Sequence, residues 1–155
     1  MRPNYWESRL PTDEWQHKAR IAVRLTPAKG EPVNGFVFCA KDEVVHDVLQ
    51  DERPYLLMQS DPHSTVMINK KTILRLRVLD NESREMEVYT RMSEKGAVRL
   101  QFHDEVEETG EVCPRPGQRV SDVLNQDGGF FLFVAADGTV NYINSSFVER
   151  ILIHK

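Results

Sequence analysis

The sequence predicts a mainly β fold of the α+β class, built from two internal repeats of one β-β-α-β-β-β unit. Two observations lead to this prediction. The tetrapeptide A-V-R-L occurs at residues 22–25 and again at 97–100, which is 75 residues later (97 − 22). The longer segment 45–69 returns as 120–144 at the same offset. Self-similarity at a fixed spacing is the signature of a repeated structural unit, so it frames the interpretation of the whole chain.

The repeat keeps its register without a gap. Residues 22–78 and 97–153 share fourteen identities at the offset of 75. Several identities are of residue types that a shared hydrophobic pattern does not explain: Gly35 and Gly110, Asp47 and Asp122, Asn69 and Asn144, Arg75 and Arg150. We therefore expect two units related by a pseudo-twofold. An N-terminal arm is predicted over residues 1–17, the first repeat over 18–79 and the second over 80–155.

The chain length of 155 residues bounds how these units pack. A unit of about 60 residues buries only about 60% of the surface of its unfolded chain and is marginally stable. A fused body of about 150 residues buries nearer 70%. We therefore expect the two repeats to share one core, in a small-barrel or shared-sheet architecture.

The elements of the first repeat follow from its periodicity. Apolar and polar residues alternate over 21–25, which predicts a half-buried strand. A short helix is predicted over 44–50, with Asp42 as its N-cap, because apolar residues recur there with helical spacing. Asn69 is predicted to turn the chain in a left-handed conformation. Further strands are predicted at 34–39, 55–59, 65–68 and 72–79.

The second repeat follows the same order. An alternating strand over 86–92 leads into it, and the acidic segment 103–109 is predicted to be a turn. A short helix is predicted over 121–125, capped by Ser121. The Asp-Gly pair at 137–138 is the clearest hairpin signal in the chain. The remaining predicted strands are 98–102, 110–113, 130–134, 140–143 and 147–153.

Three segments of the second repeat carry a resemblance to a known family. Residues 119–125 (R-V-S-D-V-L-N), then 130–133 (F-F-L-F) and 142–144 (Y-I-N), resemble a small uncharacterised bacterial domain. Its signature is R-L-S-D-x-L-N, then F-L-x-L, then V-x-I-N-x-x-x-I. The first repeat departs from it with His46 and Gln50. The resemblance implies a fold and no particular reaction. The closing segment, 143–151, is also similar to the last strands of Sm-like barrels.

Composition excludes several classes of function. The formal net charge is −4, which gives no general electrostatic attraction to nucleic acid. No apolar run approaches the length of a membrane span, and residues 1–15 lack the apolar core of a secretory signal. Cys39 and Cys113 form no metal-binding motif and are expected to be small thiols in a reducing compartment. We therefore expect a cytoplasmic protein without membrane contact.

Basic residues of the first repeat give one candidate binding face. Arg75 and Arg77 alternate on one strand, directly after Lys70 and Lys71. Arginine forks match phosphate oxygens, so these four residues are candidates for binding an anion, a nucleotide or a partner. The alternative is an ordinary polar face of an antiparallel sheet. Leu152 stands at the position where Arg77 would recur, so the second repeat does not keep this face.

The predicted arm holds both tryptophans, Trp6 and Trp15. These rings either cover a groove of the body or dock into a partner or a second copy of the chain. The repeated charged residues have a second pair of interpretations. Each aspartate starts a short helix and each arginine reaches it, or each is a solvent-facing charge; both are structural roles. These candidate structural pairs are Arg24 with Asp47, and Arg99 with Asp122.

No signature of catalysis or cofactor binding is present. The chain has no G-x-S-x-G, P-loop or G-x-G-x-x-G motif, and its histidines lack metal-ligand spacing. We therefore predict a non-enzymatic binding or assembly module without a cofactor, which recognises a protein partner or self-associates. The alternative is an Sm-like or nucleotide-sensing domain that binds RNA or a small anion through Lys70, Lys71, Arg75 and Arg77.

Overall fold

The computed structural model describes residues 19–61, 64–79, 85, 96–114, 117–125 and 129–154. These residues form ten strands in one antiparallel sheet and two short α-helices. The predicted mainly β class is confirmed. The predicted arm with Trp6 and Trp15, and the strand predicted over 86–92, lie outside the described residues.

The elements divide at the gap between residues 79 and 96 into a first half and a second half. The first half contains β1 (Ala19–Pro27), β2 (Val33–Cys39), α1 (Val45–Gln50), β3 (Tyr55–Asp61), β4 (Ser64–Asn69) and β5 (Ile73–Val78). The second half contains β6 (Gly96–Phe102), β7 (Glu107–Val112), α2 (Val120–Leu124), β8 (Phe130–Ala135), β9 (Val140–Asn144) and β10 (Val148–His154). A single 3₁₀ turn, Lys70–Thr72 or Ser145–Phe147, precedes the last strand of each half.

The strand order of the sheet is β10-β6-β7-β8-β9-β5-β1-β2-β3-β4. The second half therefore occupies one side of the sheet and the first half the other. Within each half, the fifth strand lies beside the first, and the remaining strands follow in chain order. The two halves meet where β9 pairs with β5. The strands β10 and β4 are the two ends of the described sheet.

The register of strand pairing is the same in both halves. Val23 pairs with Gly35 in β1–β2, and Val98 pairs with Gly110 in β6–β7, each position being 75 residues later. The hairpin β3–β4 corresponds to β8–β9 in the same way. The pairing of β1 with β5 corresponds to that of β6 with β10, including an irregularity near the start of β5 and of β10.

Each α-helix is capped by an aspartate that lies inside it. The Asp47 Oδ2 accepts a hydrogen bond from the Val44 backbone N–H at 2.9 Å, and Asp122 Oδ2 accepts one from Arg119 N–H at 3.0 Å. The predicted N-caps Asp42 and Ser121 are wrong, since Val44 and Arg119 occupy those positions. The carboxylate at the third helical position accepts a hydrogen bond from the backbone N–H of the N-cap residue, which has no partner within the helix.

Two turns also differ from expectation. Asn69 has φ −63° and starts the 3₁₀ turn, with its side chain accepting a hydrogen bond from Lys71 N–H, so the left-handed conformation predicted for it is wrong. The acidic segment is a turn only as far as residue 106, and β7 begins at Glu107. Pairing with β6 holds Glu107 and Glu108 in a strand. The side chain of Glu107 is exposed, and that of Glu108 is half-buried in its ion pair with Arg75.

The apolar residues form two cores, and β8 and β9 contribute to both. Successive side chains of a strand point to opposite faces, so one face of these strands packs with the second half and the other with the first. The second-half core contains Val98, Leu100, Phe102, Val112, Val123, Phe131, Phe133 and Ile143. From β8 and β9, the side chains of Phe130, Leu132, Val140 and Tyr142 belong to the first-half core, and Cys113 joins them there. As a result, every residue of β9 is buried.

Candidate interaction surface

The junction between the halves combines strand pairing with a helix contact. Leu76 of β5 lies opposite Tyr142 of β9, and Arg77 lies opposite Asn141. On the apolar face, Leu76 and Tyr142 are both fully buried. On the other face, Arg77 Nε and Asn141 Oδ1 are buried without a hydrogen-bond partner among the described residues. At the junction, the paired strands β5 and β9 therefore have one apolar, well-packed face and one polar face.

The helix α1 holds the first residue of β8 by both of its backbone groups. The Phe130 N–H donates to Gln50 Oε1 at 2.8 Å, and His46 Nε2 lies 2.8 Å from the Phe130 carbonyl oxygen. This geometry requires the tautomer of His46 with the proton on Nε2. The His46 ring also stacks on Tyr142, with ring centroids 5.3 Å apart. These contacts fix the end of β8 against the first half.

Two further polar contacts cross the junction. Glu85 is fully buried, and its Oε1 accepts hydrogen bonds from Val45 N–H at 2.8 Å and from the Tyr142 hydroxyl at 2.5 Å. The Asn144 amide nitrogen donates to the Ile73 carbonyl at 2.9 Å. A carboxylate in a buried position needs such donors, because desolvation is costly without them. Glu85 thus ties α1 to β9, while Asn144 ties β9 to β5.

The two ends of the sheet expose large apolar side chains. The exposed fractions are 41% for Val66 and 57% for Met67 on β4, and 48% for Leu152 and 55% for Ile153 on β10. Tyr55, on β3 beside β4, is also exposed. An end strand presents unpaired backbone groups, and exposed apolar side chains on such a strand favour pairing with another chain. The candidate interaction surface consists of these two edges.

The four predicted basic residues do not form one open cationic face. Lys70 is buried, and its Nζ binds Asp51 Oδ1 at 2.6 Å. Arg75 forms an ion pair with Glu108 of the second half, including a 3.1 Å hydrogen bond from Nη1 to Oε1. Burial lowers the pKa of Arg75, and the positive charge of Arg77 lowers it further. Two of the four charges are therefore already paired with carboxylates.

The other two basic residues lie on different elements. Lys71 is exposed on the 3₁₀ turn, whereas Arg77 lies within β5 between Arg24 of β1 and Asn141 of β9. A surface pocket of about 590 Å³ opens beside the lysines and is lined by both halves. Its walls are Leu49, Gln50, Asp51, Lys70, Lys71, Gly129, Phe130, Asn144 and Ser146.

The charged residues predicted as structural pairs lie in strands and helix caps. Arg24 donates from Nε to Asn34 Oδ1 at 2.9 Å, at the surface between β1 and β2. Arg99 lies in β6, opposite Thr109 and Leu152. Asp47 and Asp122 are the helix-capping carboxylates. Arg24 thus bonds to an asparagine of the neighbouring strand, and the two aspartates satisfy helix amides.

Asp51 gives the lysine–carboxylate contact a pH dependence. Burial raises its pKa, but hydrogen bonds from Arg53 and Lys70 outweigh burial and bring the pKa below the ordinary value of 3.8. The contact therefore stabilises the fold above the unfolded-state pKa of about 3.9, and this contribution is lost as pH falls through the folded value. We expect Asp51→Asn to remove part of the loss of stability that the wild type shows as the pH falls below about 4.

Urea unfolding at a series of pH values measures this effect. Asp42→Asn is the matched control, because Asp42 is an exposed aspartate that precedes α1, whereas Asp51 directly follows it. If the wild type and Asp51→Asn lose stability in parallel below pH 4, the Asp51 contact does not contribute to acid sensitivity.

No group of three or more metal-ligating side chains exists among the described residues. No helix in the described part of the chain is long and apolar enough to cross a membrane. Cys39 and Cys113 are buried thiols. Comparison of the chain with protein-family models, with curated proteins and with solved structures gives no match.

Several residues of the junction and the edges are not predictable from the sequence. Glu85 stands in a polar stretch with no motif, and Gln50 and His46 differ from the residues at the same positions in the second half. One signal does exist for the edges. At the offset of 75, Val66 corresponds to Asn141 and Leu152 to Arg77, so an apolar pair stands where the junction has a polar one.

Proposed function

We propose that the protein is a tandem duplication whose units join head to tail, and that it acts as a non-enzymatic assembly module. It binds protein through the two edges of its sheet, β4 and β10. The observation that carries this proposal is the exposure of Val66, Met67, Leu152 and Ile153 on those edges. The same positions at the internal junction are buried or paired.

The conserved strand register supports the duplication, and two glycines add an independent argument. A Cβ placed on Gly35 would lie 2.7 Å from the Gln59 carbonyl oxygen. A Cβ placed on Gly110 would overlap the Val134 carbonyl oxygen, and 134 is again 75 beyond 59. Each half thus brings its second strand unusually close to its third, at the same place. Two unrelated sequences would not need a glycine at that one position.

The strand order favours a head-to-tail relation over the expected pseudo-twofold. The fourth strand of the second half, β9, pairs with the fifth strand of the first half, β5. A twofold would also require β4 to pair with β10, whereas these strands are the two ends of the described sheet. A head-to-tail junction leaves two different edges unpaired: the fourth strand of the first half, β4, and the fifth strand of the second half, β10.

An edge that pairs with another chain offers backbone hydrogen bonds along the strand and pockets for alternate side chains. The apolar side chains on β4 and β10 would supply the desolvation energy, at about 25 cal/mol per Å² of apolar surface removed from water. Assembly is therefore the function that the geometry supports best.

The anion-binding alternative has less support. Its four basic residues, Lys70, Lys71, Arg75 and Arg77, do not converge, and Lys70 and Arg75 are paired with Asp51 and Glu108. A phosphate would have to displace a carboxylate from each. We therefore expect any affinity for RNA or inorganic phosphate to be weak and to disappear at moderate salt.

The test is to place a charge on each edge. We expect the wild type to have a solution mass above that of the 17.9 kDa chain, or to bind a protein partner. Met67→Lys and Ile153→Lys should each weaken this association by about tenfold or more, because a lysine on a paired edge must be desolvated. Sedimentation equilibrium over a range of concentrations measures the effect.

Val106→Lys is the matched control, since Val106 is equally exposed but lies in the turn between β6 and β7. It should associate as the wild type does. A chain that is monomeric at every concentration, and whose protein partners bind equally well to the edge variants, would remove the proposed function.

A further inference from the structure

We infer that the partner of each edge is a second copy of this chain, with β10 of one copy pairing with β4 of the next as β5 pairs with β9. This inference rests on the proposed function and makes it more specific. The internal junction already shows this kind of contact. It pairs the last strand of one half, β5, with the fourth strand of the other half, β9, and β10 and β4 are the equivalent strands at the edges.

The internal junction defines the register of the outer one. Each residue of β5 has a counterpart in β10 at the offset of 75, and each residue of β9 has one in β4. The internal pairs are Arg75 with Ile143, Leu76 with Tyr142, Arg77 with Asn141 and Val78 with Val140. The corresponding outer pairs are Arg150 with Ile68, Ile151 with Met67, Leu152 with Val66 and Ile153 with Thr65.

One of these pairs is polar at the internal junction and apolar at the outer edges, and the residues on both strands differ. Arg77 opposes Asn141 inside the chain, and each has a buried polar atom with no hydrogen-bond partner among the described residues. Leu152 would oppose Val66, and both are aliphatic and exposed in the single chain. A polar residue facing either of them would be left unpaired on burial, at a cost. The matching change on the two edges is what complementary surfaces of one interface require.

The face that packs across the junction also has exposed counterparts. Tyr142 is fully buried against the first half, whereas its counterpart Met67 is 57% exposed. Phe130 is buried and its counterpart Tyr55 is exposed. On β5, Val78 is fully buried, whereas its counterpart Ile153 on β10 is exposed. These three side chains, buried at the internal junction, therefore have exposed apolar counterparts at or beside an edge.

Polar groups at the edges match in the same way. The Asn144 amide donates to the Ile73 carbonyl across the junction, while the Asn69 amide nitrogen has no protein partner among the described residues. Its counterpart acceptor is the Val148 carbonyl of the second copy. Asn125 stands at the position of Gln50, which accepts from the first N–H of β8. Asn125 would accept from Tyr55 N–H of the second copy.

The ion pair of the internal junction has no outer counterpart. Arg75 pairs with Glu108 across the junction, but the position 75 residues before Glu108 is Val33, which is exposed. The outer contact is therefore more apolar than the internal one. Because it uses two different edges, it does not close on itself in a symmetric pair, and further copies can be added to form a ring or a filament.

Cysteine cross-linking of the full chain tests this register. Val66→Cys and Leu152→Cys are made as separate variants, and the two native cysteines are buried. Directly opposed residues of antiparallel strands are about 4.5–5.5 Å apart, which suits a disulfide. We expect a mixture of the two variants to form disulfide-linked dimers under mild oxidation. The double variant should form a series of larger linked species.

Two controls make the result specific. Val106→Cys mixed with Leu152→Cys should not link, since Val106 lies in the turn between β6 and β7 and on neither edge strand. Ile153→Cys mixed with Val66→Cys should link far less than Leu152→Cys does, because adjacent strand residues point to opposite faces. These controls separate register-specific pairing from random collision of exposed thiols.

Three outcomes would overturn the inference. Linking of Val66→Cys to itself in preference to Leu152→Cys would indicate an isologous β4 contact. Association that depends on the edges without the mixed disulfide would leave the proposed function intact and place a different protein at the edges. A monomer that shows no edge-dependent binding would remove both.

Discussion

Gly110→Ala is expected to lower the free energy of unfolding by about 3 kcal/mol, in the upper part of the range for overpacked sites. The added Cβ would overlap the Val134 carbonyl oxygen and lie 2.5 Å from Cζ of Phe133. The carbonyl belongs to the neighbouring strand β8, so the backbone has to shift, and the pairing of β7 with β8 is lost with it. Urea unfolding measures the change in free energy.

Gly35→Ala is the matched comparison. Its added Cβ would lie 2.7 Å from the Gln59 carbonyl and 3.1 Å from Cγ of Met58. This overlap with the backbone is smaller, and a methionine side chain moves more easily than a phenylalanine ring. We expect a loss of about 1–2 kcal/mol. A loss for Gly35→Ala that equals or exceeds that for Gly110→Ala would contradict the packing described for β7 and β8.

Glu85→Ala is expected to destabilise the protein by about 3 kcal/mol. The substitution removes the acceptor of Val45 N–H and of the Tyr142 hydroxyl, and both donors are buried. Because these donors belong to different halves, the loss should appear as weaker docking of α1 on β9. Hydrogen exchange of the α1 amides and urea unfolding measure the local and global effects.

Two variants distinguish the hydrogen bonds of Glu85 from its bulk. Glu85→Gln keeps an acceptor oxygen of similar size and should cost about 1 kcal/mol. Tyr142→Phe removes only one of the two donors and should also cost less than Glu85→Ala. If Glu85→Gln is as destabilising as Glu85→Ala, the stabilisation does not come from the acceptor oxygen.

Periodicity predicted the strands of the described halves well. Alternation of apolar residues gave the strand at 21–25, and continuous apolar runs gave those at 55–59 and 130–134. The reason is that a strand with one buried face alternates apolar and polar residues, whereas a strand with both faces buried is continuously apolar. The start of β7 is predicted as a turn because its acidic residues do not alternate with apolar ones, so they leave no such pattern.

The basic residues show the limit of that reasoning. A pattern locates Arg75 and Arg77 on one strand face, but it does not reveal that Glu108 lies beside Arg75 or that Asp51 lies beside Lys70. These partners are 33 and 19 residues away along the chain. An anion-binding face requires unpaired charges, and pairing over such distances depends on strand order. The same is true of Glu85, whose bonds reach Val45 and Tyr142.

The amino-acid sequence by itself determined the local elements, because side-chain alternation and the aspartates and glycines at corresponding positions act over a few residues. It also contained the offset of 75 on which the proposed duplication depends. Only the tertiary structure decided that β9 joins β5 and that β4 and β10 remain at the ends. The order of strands follows from how two cores pack on opposite faces of β8 and β9, and local periodicity does not encode that arrangement.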